Sequence, residues 1–219
     1  KRYLVSSIME EAIASSQIEG AVTTRKKAKE MLRKNIKPKD KSEIMIMNNY
    51  QTIKHIVDIQ DQPITHSKLL EIHKLITNQT LDDPNDEGAY RDNNEVNVID
   101  VLDGEIVHRP PDFNSLPELM EELFEFFNNH DKNNFIHPII KGCIIHFMIG
   151  WIHPFVDGNG RTARALFYWY LLKNGYWLTE YLSISRLIVK TKMQYAYAFI
   201  YSETDENDIT YFINYKMKT

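Results

Sequence analysis

Twelve residues, His153 to Arg164, read H-P-F-V-D-G-N-G-R-T-A-R, and they constrain this chain more than any other stretch. An apolar run, Ile139 to Ile152, leads into them, and a second, Ala165 to Leu172, leads out. Gly158 and Gly160 have no Cβ, so the backbone there can turn sharply and approach a ligand closely. Asn159 can hold a turn or cap a helix, and from Gly160 onward the sequence has helical periodicity. The stretch therefore predicts a loop feeding a helix N-terminus, where unpaired amides and the positive end of the helix dipole make an anion site. Arg161 and Arg164, three apart on the first turns, project to one side and offer two guanidinium forks to phosphate oxygens. A carboxylate amid that positive charge, Asp157, is explained by a Mg²⁺ shared with the phosphates. His153, just outside, can accept a proton near neutral pH.

Each feature alone has a plainer reading, since a lone Gly-Asn-Gly is a turn and arginines beside it often pair with surface acids. Their concurrence within twelve residues carries the argument. The string resembles the signature of the Fic domain family, H-P-F-x-D/E-G-N-G-R-x-x-R, at every defined position. That resemblance implies a mainly α fold, a helical bundle with a small β-hairpin flap over the active site. It implies a protein adenylyltransferase, which moves AMP from ATP to a Ser, Thr or Tyr hydroxyl of a target protein, the chain itself included. It also implies roles. Gly158, Asn159 and Gly160 would cradle the α- and β-phosphates, Arg161 the β-phosphate and Arg164 the γ-phosphate. Asp157 would hold Mg²⁺ (or Mn²⁺), and His153 would take the proton of the attacking hydroxyl.

Upstream, Leu4 to Ile18 has the rows of an amphipathic helix, with Glu10, Glu11 and Gln17 off the apolar face. It ends S-S-Q-I-E-G, with Gly20 placed to close it. Ser15 and Glu19 share a face, and a glutamate in the last turn is disfavoured by the dipole, so something else must hold Glu19 there. The string resembles the inhibitory motif Ser/Thr-x-x-x-Glu-Gly/Asn, found on a helix before the core in one Fic subclass. In that subclass the glutamate pairs with the second signature arginine, which is Arg164 here. A carboxylate on that fork would repel the terminal phosphate and misplace the α-phosphate, which implies an autoinhibited enzyme.

Periodicity further predicts helices over Thr23–Arg33 (N-cap Thr23 or Thr24), Lys41–Gln60, Ser67–Thr77, Leu116–Asn129, Ile136–Trp151, Arg164–Asn174, a long Arg186–Tyr201, and Asp208–Met217. His55 and His73 read as satisfied helix-face residues, and His146 with His153 lacks a third ligand for zinc. The acid-rich segment 80–97 reads as a solvated turn. After it, V-N-V-I-D-V-L-D-G-E-I-V-H predicts two short strands around Asp103-Gly104. In the family a hairpin here, the flap (about 96–108), holds a segment of the target protein by strand pairing. Gly88-x-Tyr90-Arg91 before it and Pro110-Pro111 after it also look like the family. Tyr195 and Tyr197 are candidates for an adenine pocket.

Two parts follow: an N-terminal helical segment, 1–60, with the inhibitory helix at about 4–19, and a Fic core, 61–219, with the flap and the signature 153–164. A net charge of −4 argues against direct nucleic-acid binding by this segment, and the basic cluster Arg25 to Lys41 reads as a solvated helix face. A single cysteine, Cys143, excludes an internal disulfide and suits a cytoplasmic protein, and no apolar stretch reaches the length of a membrane span. The chain starts without Met and stops inside an apparent helix, so a piece of a longer protein is expected. Bacterial Fic proteins with such a terminal helix often continue into a DNA-binding segment, which leaves open a nucleotide-sensing module of a transcriptional regulator. Within the fold, removal of AMP, transfer of another phosphate-bearing group, and a homodimer that affects inhibition also stay open.

Overall fold

The computed structural model describes residues 2–100, 104–129 and 135–219. Among these, the chain is mainly α, with ten α-helices and one two-stranded antiparallel hairpin. The order is α1 (Arg2–Ile18), α2 (Arg25–Lys34), α3 (Lys41–Ile59), α4 (His66–Thr77), β1 (Val98–Ile99), β2 (Ile106–His108), α5 (Leu116–Asn128), α6 (Pro138–Ile152), α7 (Asn159–Lys173), α8 (Ile184–Lys190), α9 (Lys192–Thr204) and α10 (Thr210–Lys218). Four helices start where a Ser, Thr or Asp side chain supplies the acceptor. Thr24, Asp40, Thr65 and Ser183 each take the N–H three residues on, from Lys27, Glu43, Lys68 and Arg186.

The expected long helix over 186–201 is two helices. It breaks at Thr191, whose backbone leaves the helical region (φ −130°, ψ 38°). The Thr191 hydroxyl lies 3.1 Å from the Leu187 carbonyl and 2.8 Å from the Tyr215 hydroxyl, the local competition by which threonine interrupts helices. The kink turns α9 so that Tyr195 and Phe199 face α6 and α10.

The centre of the molecule is the pair α6 and α7. α6 is apolar all round, as a helix covered on every side must be, and α7 buries every residue from Arg161 to Leu172. Trp169 and Tyr170 of α7 are fully buried against Phe127 of α5, and Phe155, after α6, is fully buried as well. The pair delivers His153 at the end of α6 and the arginines at the start of α7.

α1 departs from a simple amphipathic helix, because every residue from Ile8 to Ser16 is buried. It lies against α3 and α8, and its two central acids are compensated individually. Glu10 pairs with Arg25 and Lys29 of α2. Glu11 accepts from the Ser183 hydroxyl and the Ser185 N–H, each at 3.0 Å, at the start of α8. Buried carboxylates need such partners, and these fix where the helix ends. Its end brings Glu19 to the first turn of α7.

In the hairpin, Val98 pairs with His108 and Ile99 with Ile106. Of the turn read at Asp103-Gly104, Gly104 has φ 75° and Asp103 lies outside the described residues. No helix among the described residues is long and apolar enough to cross a membrane.

Candidate active site

His153 closes α6 in the left-handed region (φ 48°, ψ 58°), its N–H donating to the Ile149 carbonyl at 3.0 Å. Its Nδ1 lies 3.1 Å from the Gly150 carbonyl, which can only accept, so Nδ1 carries the proton and Nε2 is left with the lone pair. Burial lowers the His153 pKa below the ordinary histidine value. The Gly150 bond opposes this, and the charges of His108 and Arg91 reinforce it. The ring is therefore a neutral base at pH 7.

The loop that follows is held from behind by α4. Phe155 is buried and stacks on His73 with ring centroids 3.7 Å apart. His73 Nδ1 accepts the Gly88 N–H at 3.0 Å, so its Nε2 carries the proton and donates to the Asp157 carbonyl at 2.8 Å. His73 is thus satisfied, as read from the sequence, and its partners show why it matters to the loop. Burial lowers its pKa to about 4. An unfolded histidine titrates near 6.5, so unfolded chains bind the proton over the window between the two values. The stability from neutral His73 is complete above pH 6.5 and is lost as pH falls toward 4. Urea unfolding followed across that window should show the loss, and His73→Gln should lessen it.

Gly158 is the N-cap of α7 and has φ 82°. A Cβ there would lie 2.9 Å from Thr77 Cγ2 and 3.3 Å from His73 Nε2, so the position excludes other residues for two reasons. Gly158→Ala should destabilise the fold by about 2 kcal/mol, read as a lower urea midpoint. Asn159 does not cap the helix by its side chain. Its Oδ1 accepts the Phe155 N–H at 3.0 Å and its Nδ2 donates to the Phe155 carbonyl at 2.8 Å, so the amide braces the loop from inside.

The two arginines diverge. Arg161 Nη1 donates to the Ile76 carbonyl at 3.0 Å, near the C-terminal end of α4, where a cation is favoured, and Nη2 lies 3.5 Å from Asp157 Oδ2. Arg164 reaches α1 instead. Nε donates to Ser15 Oγ at 2.9 Å, and Nη2 donates to the Ser15 carbonyl at 3.1 Å and to Glu19 Oε1 at 2.8 Å. Its Nη1 is buried, with no hydrogen-bond partner within reach among the described residues. The Glu19 carboxylate also fills the space beside Gly160, where a Cβ would run into Oε1. An anion thus already occupies the first turn of α7, and it belongs to the chain.

A cavity of about 250 Å³ joins these groups, lined by Glu19, His153, Gly160 and Arg164 on one side and by Tyr195, Ala196, Phe199, Ile200 and Glu203 of α9 on another. Tyr195 presents its ring there, with its hydroxyl 2.8 Å from His146 Nε2. Tyr197 does not line the cavity. It is exposed on the opposite face of α9 and stacks on Tyr201, so Phe199 and Ile200 supply the apolar wall instead. Asp157 and Gly158 in the adjoining loop, and Asn159 and Arg161 at the start of α7, are not part of the cavity wall.

Asp157 is half exposed, and no cluster of three or more His, Cys, Asp or Glu side chains placed for a metal occurs among the described residues. A single accessible carboxylate suits Mg²⁺, which binds through one or two carboxylates and completes its shell with phosphates and water.

Sequence reasoning passed over Arg91 and His108. Arg91 is buried, donates to the His153 carbonyl at 2.9 Å from Nε, and reaches Asn93 and Pro111 at the two ends of the flap segment. The Gly88-x-Tyr90-Arg91 string was the available signal. His108 shows as a burial break at the end of an otherwise exposed strand, which no sequence pattern displays.

Residues 63–171 match the Fic/DOC family. Over 157 residues, 72% of this chain, the sequence is 31% identical to a protein adenylyltransferase Fic of Drosophila mojavensis, and it spans 28% of that relative, under a third of its length. A Fic family protein from Desulfovibrio desulfuricans superposes with a TM-score of 0.81 at 23% identity, over 99% of this chain and 62% of that one. A Fic domain containing signaling protein from Bacteroides thetaiotaomicron gives 0.74 at 22% identity, over 98% and 83%. With the signature intact and the fold shared, the chain belongs to the Fic/DOC family.

Proposed function

We propose that this chain is a protein adenylyltransferase that transfers AMP from ATP to a hydroxyl side chain of a protein, held in check by Glu19. The observation that carries this reading is the Glu19 carboxylate, bonded to Arg164 and lodged against Gly160, on the wall of the cavity that also holds the neutral base His153. On this reading residues 1–60 regulate and residues 61–219 catalyse. The base of ATP lies against Tyr195, Phe199 and Ile200. The free amides at the start of α7 receive phosphate oxygens, and Arg164 receives the terminal phosphate once Glu19 withdraws. Asn159 and His73 act on the phosphates only through the loop they brace. Asp157 would hold Mg²⁺, which neutralises phosphate charge when bound. The target hydroxyl, presented by strand pairing on the flap, attacks the α-phosphorus. The bond to pyrophosphate breaks, and the hydroxyl proton passes to His153 Nε2.

Intact-mass spectrometry with ATP and Mg²⁺ tests the reading. One AMP should add to Glu19→Gly far more than to the wild type, and none to Glu19→Gly with His153→Ala. No adduct in any of the three, with added protein substrates also unmodified, sinks it. A second reading has its own support, because Glu19 and His153 line one cavity and a carboxylate there can orient water. In that case the wild type should release AMP from an adenylylated protein and Glu19→Gly should not.

A further inference from the structure

Among the described residues β1 and β2 make few contacts with the helices, and Ile99, Ile106 and Val107 are exposed. His108 is the exception, the one buried residue of β2. It spans two structures that build the cavity. Its Nε2 donates to the Trp151 carbonyl at 2.8 Å, in the last turn of α6, where carbonyls lack helical partners. Its Nδ1 lies 2.6 Å from Glu203 Oε2 on α9, a charge-assisted contact when the ring carries both protons. Trp151 is two residues before His153, the His108 and His153 ring centroids are 6.2 Å apart, and Glu203 and His108 both line the cavity. Arg91 ties down the ends of the flap segment, and His108 ties the second strand itself to α6 and α9.

We propose that His108 is a positioning residue that latches the flap through Trp151 and Glu203, so that a protein segment pairing with the flap is set at a fixed distance from His153. Through this one side chain the strand that would present the target is registered to both the helix bearing the base and the helix walling the nucleotide. The latch affects where the target hydroxyl lies, and the nucleotide keeps its own contacts to α7 and α9. Its kinetic consequence rests on the transferase reading, whereas the mechanical one does not.

Two measurements separate them. In hydrogen exchange followed by mass spectrometry, His108→Ala should speed exchange of the β1 and β2 amides roughly tenfold and leave α5 and α6 unchanged. Glu203→Gln, nearly isosteric, should give a smaller change confined to the same amides, and it serves if His108→Ala fails to fold. Unchanged flap exchange, or faster exchange throughout the domain, overturns the latch. In the Glu19→Gly background, His108→Ala should cut self-modification by AMP roughly tenfold while the calorimetric affinity for ATP with Mg²⁺ stays within about twofold. Equal losses of affinity and transfer would also overturn it. If Glu19→Gly itself transfers no AMP, the transferase reading has failed, and the exchange data alone still decide the latch.

Discussion

Replacing Glu19 with glycine is expected to raise the rate of AMP transfer by about a hundredfold, the order of effect that an ångström of misplacement has on a reacting centre. The carboxylate does two things that a bound triphosphate cannot share. It takes a guanidinium donor of Arg164 at 2.8 Å, and it sits where Gly160 leaves room for a close approach at the start of α7. A phosphate reaching either place meets a like charge in a partly enclosed site, where repulsion is poorly screened. Glycine removes the charge and leaves α1 docked, because the helix is held by Glu10, Glu11 and the apolar contacts of Met9 and Ile13 rather than by Glu19. The variant should therefore unfold at nearly the wild-type urea concentration while its transfer rate climbs. A rate that stays at the wild-type level in a folded Glu19→Gly would contradict the lock.

The second large effect is expected at His153. Converting it to alanine in the Glu19→Gly background should lower transfer by about two to four orders of magnitude, the ordinary worth of a positioned general base. The geometry gives the base a defined form, with the proton on Nδ1 held by Gly150 and the lone pair on Nε2. Because burial lowers its pKa, the group is active when deprotonated and stays so to lower pH than a free histidine. Transfer should accordingly be constant through neutral pH and fall only below pH 6.5, as His153 takes up a proton, and the variant should lack that limb. Binding of ATP should survive the change, since the proposed mechanism gives His153 the attacking hydroxyl and leaves the phosphates to Arg164 and the helix amides.

Much of this site was legible in the sequence because its parts are contiguous. From His153 to Arg164 the chain writes out a turn, a helix start and two guanidinium groups in order, and local geometry then determines where each can go. The helices were legible for a similar reason, since their caps and apolar rows lie within a few residues of one another. The pairing of Glu19 with Arg164 spans most of the chain, and only the resemblance to a known motif pointed to it. What stayed hidden depends on contacts between distant elements. His73 braces the loop from α4 and Arg91 ties the flap to the end of α6, roles that neither the helical pattern around His73 nor the Gly88-x-Tyr90-Arg91 string specifies. Tyr195 and Tyr197 lie on different faces of α9, and which of them turns inward depends on how α9 packs against α6 and α10. Glu10 and Glu11 of α1 read only as lying off the apolar face, because nothing in the local pattern reveals that Arg25 and Lys29 of α2 pair with Glu10 or that serine donors at the start of α8, far along the chain, meet Glu11.

The most direct test of the account is calorimetric binding of ATP and of ADP, each with Mg²⁺, to the wild type and to Glu19→Gly. If Glu19 holds the place of the terminal phosphate at Arg164, the substitution should strengthen ATP binding about tenfold more than ADP binding, the worth of one charge-assisted fork. An equal gain for both nucleotides, or none for either, would contradict the claim that the carboxylate and the terminal phosphate compete for the same guanidinium.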